Sequence, residues 1–190
     1  MTAVPTKPTT ARPARLGAVS YLNTLPMIEG LGKLAEVTLT LTPPSELASM
    51  LERDEVDLAL ASSIDYQRSS IPLAILPVGM IGSSGPTLTV RLFSRVPIED
   101  LKTVACDVDS HTSVTLLRIV LQQQHGLSPE LLPFDADALE HRHNAADDDW
   151  PESLLLIGDK VVTASPPAIV YPHQLDLGEA WKDLTGLPFV

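Results

Sequence analysis

The chain has 190 residues, enough to bury a real core in one larger domain or two small lobes. With 24 Asp and Glu against 13 Lys and Arg, its formal net charge of -11 argues against the clustered basic surface that nucleic acid or an anionic membrane requires. Hydrophobic residues at 44% and charged residues at 19% are a globular balance, and aromatics at 4% leave Leu, Val, Ile and Ala to fill the core.

Residues 1–14, rich in Thr, Pro and Ala, present no apolar face and are expected to form a disordered tail. That segment carries basic residues without a hydrophobic stretch, and no apolar run approaches bilayer length, so the expected location is cytoplasmic. Order is expected from Arg15, in a short strand through Leu16, Gly17, Ala18, Val19, Ser20 and Tyr21 that runs into a polar turn at Asn23 and Thr24. Residues 25–34 read as a short helix with Pro26 in its first turn, where a missing N–H costs little. Residues 36–41 alternate β-branched and apolar side chains, the pattern of a second strand. Ser45 is placed to cap a helix over residues 46–52 that carries Leu47, Met50 and Leu51 on one face. A third strand is expected over residues 57–61, and the βαβαβ order predicts a parallel sheet covered by helices.

Residues 73–78 and 87–93 read as further strands, separated by Gly82-Ser83-Ser84-Gly85-Pro86. A turn of helix over residues 98–101 leads to a strand over 103–106. The strongest helical pattern follows: Val114, Leu117, Val120 and Leu121 recur at three- and four-residue spacing, opened by Ser110 and ended by Gly126. Residues 135–149 are polar and acidic and read as a loop or irregular helix. Leu154-Leu155-Leu156-Ile157, bounded by Gly158 and Asp159, suits a buried parallel strand. Helix–strand alternation restarts after about residue 95, as a second lobe would require, and there is no internal repeat.

Ser110-His111-Thr112-Ser113 opens that strongest helix, and its free N–H groups and hydroxyls form a ready anion site, although Ser110 could equally be an N-cap alone. On spacing, Asn23 is a turn residue. In an open α/β sheet, however, the carboxyl ends of the strands face the ligand crevice, where Asn23 and Ser62 would sit. Asp159 either lines that crevice or caps the next segment. Cys106, the sole cysteine, lies in an apolar alternation and reads as a small buried residue; it can form neither an intrachain disulfide nor a Cys-based zinc site. His141 and His143 beside Glu140, and the run Asp147-Asp148-Asp149, read as solvated surface rather than metal ligands, so no metal is expected. Trp181 and Leu184 read as packing residues.

The stretch Val19-Ser20-Tyr21-Leu22-Asn23-Thr24-Leu25-Pro26 resembles the opening of the chorismate dehydratases that begin the futalosine route to menaquinone. Further stretches match in order: Ala61-Ser62-Ser63-Ile64-Asp65-Tyr66, Gly85-Pro86, Ser110-His111-Thr112-Ser113-Val114 and Leu156-Ile157-Gly158-Asp159. The last are Asp176-Leu177-Gly178-Glu179-Ala180-Trp181-Lys182 and Thr185-Gly186-Leu187-Pro188-Phe189-Val190. The resemblance implies a two-lobed α/β fold like that of type II periplasmic binding proteins, each lobe a mainly parallel sheet flanked by helices. The N-terminal part of lobe 1 would occupy residues 15–92, and lobe 2 with a return strand residues 93–190. The part of lobe 1 that follows Phe189-Val190 in the family is expected to be absent. The family usually carries Arg at the position of His111 and often Ser at that of Thr89.

The resemblance further implies dehydration of chorismate, a small carboxylate, to 3-[(1-carboxyvinyl)oxy]benzoate without a cofactor. The motif positions supply mostly neutral hydrogen-bonding groups, none of them a general base near neutral pH. That fits a substrate-assisted route in which the enolpyruvyl carboxylate takes the proton. By resemblance Asn23 and Thr89 would orient the reacting group. Ser20, Thr24, Ser62, Ser63, Ser110, His111, Thr112, Ser113 and Asp159 would contact substrate. The alternative is a non-catalytic carboxylate-binding protein of the same fold, since fold does not fix chemistry. The sister enzyme that forms a dihydroxynaphthoate is disfavoured by the Ser-Tyr-Leu-Asn-Thr opening.

Overall fold

Two sheets whose strands end toward one seam organise the chain. The computed structural model describes residues 12–137 and 150–190. Residues 1–11 of the expected tail lie outside the described residues, as do Glu140, His141, His143, Asp147, Asp148 and Asp149.

The first sheet holds β1 (Ala14–Val19), β2 (Val37–Thr42) and β3 (Leu58–Ala59) in the order β2-β1-β3, all parallel. Helix α1 (Leu25–Ile28) is shorter than the expected 25–34, because Gly30 takes a left-handed φ of 83° and turns the chain into a 3-10 turn at Leu31–Lys33. Helix α2 (Pro44–Glu52) lies against β1, and a Cβ on Gly17 would stand 2.8 Å from the buried Leu47 side chain. Its N-cap is Pro43, not Ser45. Pro44 fits the first helical position with its fixed φ, and the Ser45 N–H instead donates to the Asp109 carbonyl at 3.0 Å.

The second sheet is larger, with β4 (Val90–Ser94), β5 (Thr103–Asp107), β6 (Glu130–Phe134), β7 (Ser153–Ile157) and β8 (His173–Asp176) in the order β6-β5-β7-β4-β8. Pairs β5–β6 and β5–β7 are parallel, while β4 runs antiparallel to both β7 and β8. The direction of β4 follows from its entry: the chain arrives at the seam end of the sheet at Thr87 and must run away from it. Val90 to Leu92, expected in the first lobe, therefore pair with the strands of the second sheet. Helices α4 (His111–His125) and α6 (Leu177–Thr185) cover one face, where Leu92, Leu155 and Ile157 pack against Leu117, Leu121 and Leu177. On the other face Phe93, Leu154 and Leu156 meet Val161 and Tyr171. All of β7 is buried, as the run Leu154-Leu155-Leu156-Ile157 predicts, but the strand expected to be parallel is so only toward β5 and runs antiparallel to β4. Short helices α3 (Ser63–Arg68) and α5 (Lys160–Thr163) follow β3 and β7.

The strand expected over residues 73–78 does not form. Ile75, Leu76 and Val78 are 70%, 50% and 87% exposed, and among the described residues no strand offers that segment a ladder. An apolar run specifies burial only where a sheet is present to receive it. Further on, Ser83 and Phe189 pair antiparallel, each N–H donating to the other's carbonyl at 2.8 Å, so the segment that leads to the second sheet lies beside residue 189. Among the described residues no helix is long and apolar enough to cross a membrane.

The start of β1 is fastened to the entry of β3 by Asp57, which accepts from the Arg15 backbone N–H at 2.9 Å and from the guanidinium groups of Arg15 and Arg12 at 2.8 and 2.6 Å. These bonds, Arg15 first and Arg12 second, hold the Asp57 carboxyl far below the usual carboxylate range. A depressed native value means that stabilisation is present above the ordinary carboxylate value and is lost as pH falls toward the native one. Asp57→Asn is therefore expected to lower the thermal midpoint at pH 7. The gap to the parent protein should narrow below about pH 4, where the unfolded carboxylate protonates; melting curves over a pH series would measure it.

Candidate functional site

The carboxyl ends of β1 and β3 face those of β5 and β7 across the seam, and the residues there hold one another through a few polar contacts. After β1 the chain enters a 3-10 turn, Leu22–Thr24, whose first N–H is otherwise without a partner inside the turn. Asp159, beyond the end of β7, takes it: the Leu22 N–H lies 3.2 and 3.1 Å from its two carboxylate oxygens. Tyr21, one residue earlier, lays its ring on Gly158, where an added Cβ would stand 2.5 Å from the ring, and Gly158 itself has a φ of 60°. The Tyr21 hydroxyl donates to Asp109 Oδ2 at 3.0 Å. Asn23 is exposed on this anchored turn, Thr24 beside it is fully buried, and the Thr24 hydroxyl reaches Asn23 Oδ1 at 3.4 Å.

Thr89 joins the same group through the backbone, its carbonyl accepting from Gly158 N–H at 2.7 Å. The segment before it is fastened by Asp176, which accepts from the N–H groups of Thr87 and Leu88 at 2.9 and 2.8 Å. The same carboxylate caps α6 through Gly178 and Glu179. Leu88 keeps a left-handed φ of 61°, a cost that this grip offsets at the crossing between lobes.

A second contact joins α3 to α4. Ser62 caps α3, accepting from Asp65 N–H at 3.3 Å and donating to Asp65 Oδ2 at 2.7 Å, while Asp65 Oδ1 lies 3.2 Å from His111 Nδ1. Ser110 caps α4 by accepting from Ser113 N–H at 3.1 Å, and the two hydroxyls are 2.9 Å apart. Thr112 differs: its hydroxyl is sealed from solvent with no hydrogen-bond partner among the described residues. A cavity of about 410 Å³ runs from Ser110 and His111 along α4 to Arg118, with Arg68 and Leu132 on its other walls.

The feature that residue patterns did not expose is Lys160. It is 4% exposed, and its ammonium lies 2.7 Å from Asp109 Oδ2, 3.0 Å from Asp107 Oδ1 and 3.0 Å from Asp137 Oδ1. Burial opposes its charge, but the bond to Asp109, the charge of Asp107 and the bonds to Asp137 and Asp107 outweigh that and hold the ammonium above the ordinary lysine value. Asp107, fully buried and with no partner for Oδ2 among the described residues, is pushed up by burial despite Lys160. Burial, then the charge of Asp109, raises the Tyr21 phenol far above its usual value, so it stays a donor at any working pH. Cys106, as expected, is a buried core thiol, pushed up to about 12 by burial. Among the described residues no group of three or more His, Cys, Asp or Glu is placed to hold a metal ion.

Of the residues singled out in the sequence, Asn23 and Thr24 are thus tied to Asp159 through Leu22, Thr89 through Gly158, and Ser62 to His111 through Asp65. Ser110 and Ser113 are tied to each other. Ser20 and Ser63 are exposed at the ends of β1 and at the start of α3, with no side-chain bond to this group. Tyr21, Asp65, Asp107, Asp109 and Lys160 carry much of the geometry. A Tyr inside the motif, and a Lys directly after a buried strand and its Gly-Asp pair, were the signals available.

Residues 14–190 match the family model described as menaquinone biosynthesis. The chain is 31% identical over 199 aligned positions to chorismate dehydratase of Thermus thermophilus, covering 94% of this chain and 68% of that protein. Protein AF1704 of Archaeoglobus fulgidus superposes with a TM-score of 0.67 at 17% identity, over 95% of this chain and 66% of that one. The periplasmic aliphatic sulphonate binding protein of Escherichia coli gives 0.50 at 19% identity, over 88% and 60%. The fold is that of the two-lobed periplasmic-binding-protein-like group, and the chain spans about two thirds of the length of these relatives.

The close seat of Tyr21 on Gly158 makes a direct test of this seam. Gly158→Ala should displace the ring, cost about 1–3 kcal/mol of stability through overpacking and a left-handed alanine, and weaken the near-ultraviolet dichroism of tyrosine. Urea unfolding alongside that spectrum would measure both.

Proposed function

The chain belongs to the menaquinone biosynthesis family, and from that premise we propose that it is a lyase that dehydrates chorismate to 3-[(1-carboxyvinyl)oxy]benzoate in the cytoplasm. The observation that carries this reading is the turn bearing Asn23, pinned across the seam by Asp159 and Tyr21 beside the family's other motif segments.

The reaction takes a proton from the ring carbon that bears the enolpyruvyl ether and hydroxide from its neighbour. The product ring is aromatic, so the step runs downhill and changes no net oxidation state; neither a metal nor a redox cofactor is required. What the protein must supply is orientation, and hydrogen bonds to charge as it redistributes. Asn23 presents a neutral amide on a fixed turn, and Thr89 a hydroxyl on the adjoining crossing segment. The enolpyruvyl carboxylate, delivered in reach of the ring proton, takes it as the C–H electrons form the new ring double bond and expel the neighbouring hydroxide, which leaves as water on receiving that proton. Asp159 acts on substrate indirectly in this reading, because both its oxygens face the Leu22 N–H and a carboxylate would repel an anionic ligand.

A substrate carboxylate would sit at the start of α4, beside backbone N–H groups and His111, with the Thr112 hydroxyl, sealed from solvent in this structure, turning about χ1 to meet it. The unpartnered Thr112 hydroxyl supports this placement: a buried hydroxyl without a partner costs about 1–3 kcal/mol, which a ligand's acceptor would recover. Ser20, Thr24, Ser62, Ser63, Ser110 and Ser113 then line or brace the same site, Ser110 and Ser62 as helix caps.

Incubating the full chain with chorismate and following the product by chromatography tests the assignment. Loss of chorismate with appearance of the enolpyruvyl ether is expected, and chorismate left intact at stoichiometric protein would end it. Binding without turnover would instead assign a carboxylate receptor. Asn23→Ala should abolish turnover with the thermal midpoint unchanged. Thr112→Val should leave stability equal or higher while raising KM about tenfold, the equivalent of one lost hydrogen bond.

A further inference from the structure

Lys160 stands one residue past the carboxylate that pins the Asn23 turn, yet it points elsewhere, into three aspartates. Asp109 is the member that faces both lobes. Its Oδ2 accepts from Lys160 at 2.7 Å and from the Tyr21 hydroxyl at 3.0 Å, and its carbonyl accepts from Ser45 N–H of α2 at 3.0 Å. Tyr21 immediately precedes the turn that Asp159 holds. Two neighbouring residues of the second lobe, Asp159 directly and Lys160 through Asp109, thus grip two neighbouring residues of the first.

We propose that Lys160 is a positioning residue for the Asn23 turn: it fixes the Asp109 carboxylate so that Tyr21, and with it Leu22 and Asn23, keeps its place opposite α4. What Asn23 then does rests on the function proposed above. The physical need is specific. Asp107 and Asp109 lie two residues apart at the end of β5, one wholly buried and one nearly so, and without a cation between them their charges repel. Asp109 could then relax only by turning away or taking a proton, and either change weakens its bond to the Tyr21 hydroxyl. Removing Lys160 alone leaves the buried Asp107 charge uncompensated, whereas removing Lys160 and Asp107 together keeps the local charge unchanged and leaves Asp109 without its cation. The charge-balanced double variant Lys160→Met with Asp107→Asn therefore separates positioning from folding.

The test combines that double variant, Lys160→Arg and Tyr21→Phe, alone and together, in the full chain. Steady-state rates with chorismate and hydrogen exchange at the Leu22 amide are measured for each. The double variant should fold, lose about 100-fold in kcat with KM changed less than about threefold, the scale of an ångström of misplacement, and exchange Leu22 faster. Lys160→Arg should recover most of the rate by restoring a cation. In a Tyr21→Phe background the double variant should cost little more, because both act through Asp109. The proposal is overturned by kcat within about threefold of the parent in a folded double variant, by additive losses with Tyr21→Phe, or by unchanged Leu22 exchange. If the parent chain itself fails to turn over chorismate, the functional reading falls. Leu22 exchange across the same variants then decides the role of Lys160 by itself.

Discussion

The constraint on which this structure turns is that strand ends from two separate sheets meet with carboxylates on one side and donors on the other. Asp109 of the second lobe, held on its own side by Lys160, and Asp159 beside that lysine both need a donor from the first lobe to fix the turn. Each finds one across the seam, in the Tyr21 hydroxyl and the Leu22 N–H. Because water is largely displaced from the Tyr21–Asp109 contact, these few bonds fix the turn better than exposed pairs of the same length would. The Asn23 turn is only three residues long and has no core of its own. Its geometry is borrowed from the larger lobe.

The larger lobe can lend that rigidity because its sheet is covered on both faces. Leu155 and Ile157 pack under α4 and α6, while Leu154 and Leu156 pack on the other side, so β7 delivers Gly158 and Asp159 from a strand that cannot shift without disturbing two cores. Asp176 does the same for the crossing segment, since one carboxylate both caps α6 and receives the Thr87 and Leu88 N–H groups. A rigid sheet, a capped helix and a pinned crossing therefore set Thr89 and Asn23 from the same side. The smaller lobe, with three short strands and few buried apolar residues, is the receiving partner.

Much of this was legible where a pattern had one physical outcome. The spacing of Val114, Leu117, Val120 and Leu121 with Ser110 and Gly126 at its ends specified α4 closely, and the continuous run Leu154-Leu155-Leu156-Ile157 specified a central strand. The run over residues 73–78 failed because apolar composition alone does not create a neighbouring strand. Ser45 failed as a cap because Pro43 and Pro44 start the helix two residues earlier. At the candidate site, motif resemblance named the turn, but the parts that hold it were hidden. A lysine surrounded by aspartates at positions 107, 109 and 137 is a long-range arrangement that no local spacing reveals.

Charge is the remaining tension, and it explains why so many acids can border a site for an acid. The protein carries a net charge of -11, and Asp65, Asp107, Asp109 and Asp159 all lie near the seam. All four are engaged with a positive or donating group of this chain: Asp109 and Asp107 with Lys160, Asp159 with the Leu22 N–H, and Asp65 with the Ser62 hydroxyl. Asp65 also faces His111. A carboxylate engaged by internal donors presents less free potential to a ligand, whereas the Thr112 hydroxyl at the start of α4 has no partner among the described residues. The local field at the helix start can then favour an anion although the whole surface does not. His111 joins that arrangement, because its Nδ1 lies 3.2 Å from the Asp65 carboxylate and ties the start of α4 to α3.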